Sequence, residues 1–199
     1  TFLGPAPTIT PDEITEEMLS KYQCIYIEGY LLVNEPLVRS TMEKAKKLGL
    51  KVALDLSNFN IVNAFKGMLE DIIPKYVDIL FSNESEAEAF TGQKAAEAVH
   101  TLSELVEVSL VTLGKEGALI GSHGQFYSVP AEGGKPVDTT GAGDNFAAGF
   151  LYGQSIGASL VQSARIGSML AGYVIDVVGP EIPYDKWEQI KLKVKGILA

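Results

Sequence analysis

Cys24-Ile25-Tyr26-Ile27-Glu28 and Lys51-Val52-Ala53-Leu54-Asp55-Leu56 are short, apolar and rich in β-branched or aromatic side chains, which predicts a strand at each. Residues 35 to 48 lie between them, with Leu37, Met42, Ala45 and Leu48 on one side and Glu43, Lys44, Lys46 and Lys47 mainly in solvent, so a helix is predicted there. Strand, helix, strand implies parallel pairing through a right-handed crossover, and hence an α/β fold. Two further apolar runs, 77 to 81 and 108 to 112, extend the rhythm. It then changes. Residues 117 to 121 and 125 to 129 read as a hairpin around Ser122-His123-Gly124, and a loop rich in Gly and Pro, 130 to 136, leads to helices near 141 to 155, 158 to 177 and 184 to 198. The 158 to 177 segment is apolar nearly all round, which predicts that it is the buried one. Residues 1–199 are expected to form a single domain.

The bulk properties narrow the function. With 46% hydrophobic and 21% charged residues the chain supports one well-buried core, and a net charge of −9 argues against a nucleic-acid surface. Any anionic ligand must be met locally. The one cysteine, Cys24, excludes a disulfide framework and fits a reducing cytosol, so a cytoplasmic location is expected. No run approaches the roughly 18 apolar residues of a membrane span, so no membrane partner is expected.

Asp138-Thr139-Thr140-Gly141-Ala142-Gly143-Asp144 carries the strongest chemical signal. Glycines 141 and 143 leave backbone N–H groups uncovered at a predicted helix start, where free donors and the helix dipole suit a phosphate. Asp144 would stand beside the group being transferred, placed to receive the proton of an attacking hydroxyl. Helix capping by Asp138 or Thr140 is the plainer reading, but capping alone does not require two glycines and two aspartates in seven residues. Asn83 and Glu86 follow a predicted strand, where ligands collect in open α/β sheets, and equally match a capping box. On its own residues the segment 112 to 117 reads as an ordinary tight turn, with Lys115 and Glu116 solvated. Asp55, Ser57 and Asn58 read more as a turn than a site. His100 and His123 lack metal-ligand spacing, and Lys44, Lys46 and Lys47 form a helix face, not a nucleic-acid patch.

Residues 138 to 149, Asp-Thr-Thr-Gly-Ala-Gly-Asp-x-Phe-x-Ala-Gly, resemble the C-terminal signature of the ribokinase-like (PfkB) family. Thr1-Phe2-Leu3-Gly4 resembles the strand leaving that family's lid, Asn83-Glu84-Ser85-Glu86 its Asn-x-x-Glu motif, and Thr112-Leu113-Gly114-Lys115-Glu116-Gly117 its nucleotide loop. The text from Tyr26 to Tyr30 is similar to bacterial adenosine-kinase-like members. The resemblance implies a three-layer α/β/α sandwich with a mostly parallel sheet, of which the N-terminal third and most of the lid lie outside this chain. A longer protein, supplying further strands before Thr1, is therefore expected.

The resemblance also implies an ATP-dependent kinase acting on a hydroxyl of a sugar or nucleoside. Asp144 becomes the catalytic base and the amides of Gly141, Ala142 and Gly143 the anion hole. Asn83 and Glu86 are to hold hydrated Mg²⁺ and phosphate oxygens. The ATP tail is to lie along Thr112, Gly114 and Gly117, with Ser168 near the adenine pocket, although a small residue at a packed helix crossing explains Ser168 as well. A monovalent cation, K⁺, is given Asp138 and Thr140 with carbonyls around Val174, Val177 and Gly179. A homodimer through the lid is implied too. A non-catalytic nucleotide- or sugar-binding regulator is the alternative, which the intact Asp144 and glycines disfavour. A dinucleotide-dependent oxidoreductase lacks its Gly-x-Gly-x-x-Gly after the first strand, and no P-loop occurs.

Overall fold

A computed structural model describes residues 4–133 and 136–199. The expected strand from Thr1 to Leu3 falls outside the described residues. The order of elements is α1 (Glu16–Leu19), β1 (Cys24–Glu28), α2 (Glu35–Lys47), β2 (Lys51–Asp55), α3 (Phe59–Ala64), α4 (Lys66–Tyr76), β3 (Ile79–Asn83), α5 (Glu84–Thr91), α6 (Ala95–Ser103), β4 (Val108–Thr112), β5 (Ala118–Ser122), β6 (Gln125–Val129), α7 (Ala142–Ser155), α8 (Leu160–Val174) and α9 (Trp187–Leu198). The strands follow chain order in one six-stranded sheet. β1 and β2 are parallel, pairing Cys24 with Lys51 through Glu28 with Asp55, and β2 and β3 are parallel, pairing Ala53 with Ile79. Among the described residues no helix is long and apolar enough to cross a membrane.

The chain divides into two compact units. The first comprises residues to Val111 together with Gly121–Phe126. Parallel strands laid down in chain order with right-handed crossovers send successive helices to the same face. Accordingly α2 packs on α4, α3 on α5, and α5 on α6. Val52, Ala53 and Leu54 of β2 are fully buried, as expected for a strand covered on both faces.

The predicted strand 77 to 81 begins two residues later, at Ile79. Val77 still donates to Ile73 O and closes α4, and Asp78 is held by its side chain. That buried carboxylate accepts from the Val52 amide (2.7 Å) and from Lys46 Nζ (2.8 Å), with Lys51 Nζ at 3.4 Å. Its backbone donates to Val52 O (2.8 Å) and accepts from Val108 N (3.0 Å), so one residue ties β2, β4 and α2. The lysines of α2 are therefore more than a solvated face: Lys46 holds Asp78, and Lys44 Nζ donates to Pro11 O and Ile14 O. Around β5 and β6 the hairpin forms as expected. His123 and Gly124, both at positive φ, make its two-residue turn.

The second unit comprises Thr112–Ile120 and Tyr127–Ala199. Here α8 packs against both α7 and α9. The α7–α8 approach is close because glycines meet: a methyl group on Gly149 would stand 2.7 Å from Gly167 Cα. α8 buries residues on most of its circumference, including Ala164, Ile166, Ser168, Met169 and Val174, as its apolar sequence predicts. Ile166, Met169, Leu170 and Val174 make one core with Ile182, Ile190 and Ile197.

Asp78→Ala leaves the Val52 N–H and the Lys46 ammonium without their acceptor. The expected loss is about 2–4 kcal/mol of unfolding free energy in urea titration; a loss below about 0.5 kcal/mol contradicts this account of the first unit.

Candidate functional site

In the first unit, Asn83 ends β3 and caps α5. Its side-chain oxygen accepts from Glu86 N (3.0 Å), while Glu86 takes the Asn83 backbone N–H (2.8 Å) and side-chain amide (2.7 Å) on its two carboxylate oxygens. The capping box anticipated from sequence is thus complete. It does more than cap, because Glu86 is only 4% exposed. Burial, reinforced by the negative charge of Asp55, pushes the Glu86 carboxyl up to about 7 against the bonds from Asn83. Each carboxylate oxygen keeps a further lone pair.

Asp55 ends β2 in a tightly built turn. Its Oδ1 accepts from Ser57 N (2.6 Å) and its Oδ2 from the Tyr26 hydroxyl (3.2 Å). Ser57 has φ of 63° and accepts the Gly29 N–H on Oγ (2.8 Å). Asn58 caps α3 by accepting from Asn60 N. The turn reading holds for Ser57 and Asn58, and it leaves Asp55 near Glu86.

The second unit gathers most of the other predicted residues. Gly141 is the N-cap of α7 at φ 78°, a conformation that glycine adopts without strain, and a side chain there would meet Pro180 at 2.8 Å. Ala142 N donates to Thr139 O (3.2 Å). Gly143 has open space where a side chain would stand, and Asp144 is exposed in the first turn of α7. Upstream, Asp138 Oδ1 accepts from Thr140 N (2.9 Å) and Thr140 Oγ1 (2.7 Å), and Oδ2 from Gly179 N (2.9 Å). These donors hold its carboxyl below the usual range, the Gly179 amide first among them. Asp138, Thr140 and Gly179 are therefore together. Val174 O already accepts from Val177 N (3.3 Å).

Thr112, Gly114, Gly117, Ala142, Gly143 and Ser168 line one cavity of about 440 Å³, a size suited to a small organic ligand. Gly117 closes its loop by approaching Val129 O so closely that a methyl group would lie 1.9 Å away. Ser168 donates its hydroxyl to Pro130 O (2.9 Å), accepts from Glu132 N (3.0 Å) and borders the cavity. Sequence reasoning missed Phe146, Ala171 and Ile175, which supply apolar wall. Ala171 and Ile175 follow Ser168 at helical spacing, so one face of α8 was the available signal. Asn83, Glu86 and Asp144 are not among the residues lining this cavity.

The pfkB family carbohydrate kinase profile matches residues 2–187. The chain belongs to this family. Over 203 residues it is 32% identical to the adenosine kinase of Saccharomyces cerevisiae, covering 94% of this chain and 59% of that protein. A probable sugar kinase from Rhizobium etli superposes with a TM-score of 0.89 at 29% identity, covering 96% of this chain and 59% of the other. The adenosine kinase from Sinorhizobium meliloti gives 0.88 at 28%, covering 94% and 59%. This pfkB-family chain thus spans about three fifths of the length of these relatives, and its fold is ribokinase-like.

Because Glu86 holds its proton more tightly in the fold than in the unfolded chain, folding takes up a proton between about pH 4.5 and about pH 7. That contribution is full below about 4.5 and is lost as pH rises through about 7. Melting profiles of the parent and Glu86→Gln across pH 5 to 8 should show the parent losing stability relative to the variant as pH rises; parallel profiles count against the buried acid.

Proposed function

We propose that this chain supplies the nucleotide-binding and phosphoryl-transfer part of an ATP-dependent kinase whose acceptor is a hydroxyl of a sugar or nucleoside. The observation that carries the reading is the start of α7: an open Gly143 on the wall of the 440 Å³ cavity, followed at once by an exposed Asp144. Backbone amides at a helix N-terminus with no side chain in front of them suit a phosphate. The adenosine kinase and sugar kinase relatives agree with that chemistry.

ATP, when bound, supplies the phosphoryl group, and a divalent cation offsets its charge. The roles of the chain's own residues follow. Gly141 and Gly143 donate amides toward the transferring group. Ala142 contributes less, because its N–H is already bonded to Thr139 O. Thr112, Gly114 and Gly117 border the phosphate tail, while Phe146, Ala171 and Ile175 offer the apolar wall a planar base requires. Asp144 orients the acceptor hydroxyl and takes its proton as the new bond forms, a demand that comes late in a loose phosphoryl-transfer transition state. Asn83 and Glu86 are assigned to hydrated Mg²⁺, which prefers oxygen ligands and retains water. K⁺ is assigned to Asp138 and Thr140 with nearby carbonyls of Val177 and Gly179.

Two variants separate these roles. Asp144→Asn retains size and helix compatibility but cannot accept the proton, so kcat in the full-length kinase should fall by about 10² or more, with KM unchanged or lower. Turnover within a few-fold of the parent would falsify the base assignment. Gly143→Ala meets open space and should melt with the parent, yet its methyl group covers the cradle. Calorimetric titration with ATP and Mg²⁺ should therefore show affinity weakened by about tenfold; unaltered affinity moves the phosphates elsewhere.

A further inference from the structure

Asn145, directly after the exposed Asp144, makes bonds that its place on α7 does not require. Its side-chain Nδ2 donates to Gly141 O (2.9 Å) and to Pro180 O (3.3 Å). An amide nitrogen carries two N–H groups, and both acceptors here are carbonyl oxygens, so the donor end of the side chain is fully committed and its orientation is set by the chemistry. Gly141 O also accepts the Asn145 backbone N–H (2.9 Å), an ordinary first-turn helix bond.

The two acceptors belong to different segments. Gly141 caps α7, whereas Pro180 lies in the segment leaving α8, 35 positions after Asn145. That segment is gripped at adjacent residues: Gly179 N donates to Asp138 Oδ2 (2.9 Å), and Pro180 O accepts from Asn145. An acceptor before the turn 139 to 144 and a donor after it thus hold one stretch of backbone by its N–H and its C=O. Inside the turn the Gly141–Ala142 peptide is fixed in the same way, its C=O by Asn145 and its N–H by Thr139 O (3.2 Å). A helix role alone does not explain the residue. Alanine is the better helix former, and aspartate near a helix N-terminus is favoured by the dipole. What the neutral amide adds to both is the pair of bonds to carbonyl oxygens.

We propose that Asn145 is a positioning residue: its amide clamps the start of α7 to the segment leaving α8 and so holds Gly143 and Asp144 in register for phosphoryl transfer. The clamp rests on the bonds above, and its effect on rate rests on the kinase reading already proposed.

Asn145→Asp and Asn145→Ala are to be compared with the parent in the full-length protein. The aspartate keeps size and shape but sets a carboxylate oxygen against two carbonyl oxygens, and the alanine removes the contact. Hydrogen exchange read by mass spectrometry should quicken by about tenfold in peptides covering 138 to 142 and 177 to 181, the scale of one or two lost hydrogen bonds, and stay unchanged over 187 to 198. Both variants should melt below the parent, the reverse of their helix preference. With ATP, Mg²⁺ and adenosine or ribose as acceptor, kcat should fall by about tenfold or more, because a misplacement of about 1 Å near reacting groups costs up to about 10² in rate. KM for ATP should stay within about threefold, since the 112 to 117 loop and the apolar wall keep their contacts. The proposal is overturned by unchanged exchange over 177 to 181, or by Asn145→Asp melting at or above the parent. It is overturned as well by kcat within about twofold of the parent despite faster exchange, or by a raised KM at constant kcat. Failure of the kinase reading looks different: Asp144→Asn then leaves turnover unaltered too, while exchange and melting still decide the clamp.

Discussion

The second unit is organised by the carboxylate of Asp138. It accepts from Thr140 N, Thr140 Oγ1 and Gly179 N, and so joins the segment entering α7 to the segment leaving α8. The carbonyl of Ile175 completes the junction by accepting from Val137 N and Asp138 N. With both sides fixed, Pro180 comes to lie against Gly141, whose left-handed backbone begins α7. A helix start has unmet donors by construction; here the turn before it is fixed by a residue about forty positions away in the chain.

The first unit shows the opposite treatment of charge at the two ends of β3. At its beginning Asp78 is buried but saturated, with two lysines and a backbone amide around it. At its end Glu86 is equally buried, yet its partners are neutral amides and the charge acting on it is the carboxylate of Asp55. Burial beside a like charge raises the pKa of Glu86. The contrast separates an acid surrounded by cations from one surrounded by neutral amides and a like charge, even though both lie next to the same strand.

The sequence disclosed what depends on local pattern. The parallel run of strands followed from β-branched clusters around helical spacing, and the hairpin from Ser122-His123-Gly124. The position of α7's start followed from glycines before an apolar run. Contacts between distant residues were not legible. The delay of β3 comes from Val77 closing α4 on Ile73 O and from the Asp78 bonds to Val52 and Lys46, and the latter two lie outside any window around residue 77. The Asn83–Glu86 pattern could be read as a cap, but the burial that raises Glu86 depends on packing. The cavity wall of Phe146, Ala171 and Ile175 looked like ordinary core, because apolar side chains read alike whether they face a neighbour or a ligand.

Ser57 restricts how this family member can drift. Its backbone is left-handed, which most side chains resist, and its hydroxyl accepts the Gly29 amide. Glycine would relax the backbone and abandon that amide; alanine would lose the bond and keep the strain. Asparagine and aspartate are the natural replacements, since they tolerate positive φ and carry an acceptor. Position 57 should therefore vary among a few small polar residues, because glycine gains backbone freedom only by leaving the buried Gly29 amide without its acceptor.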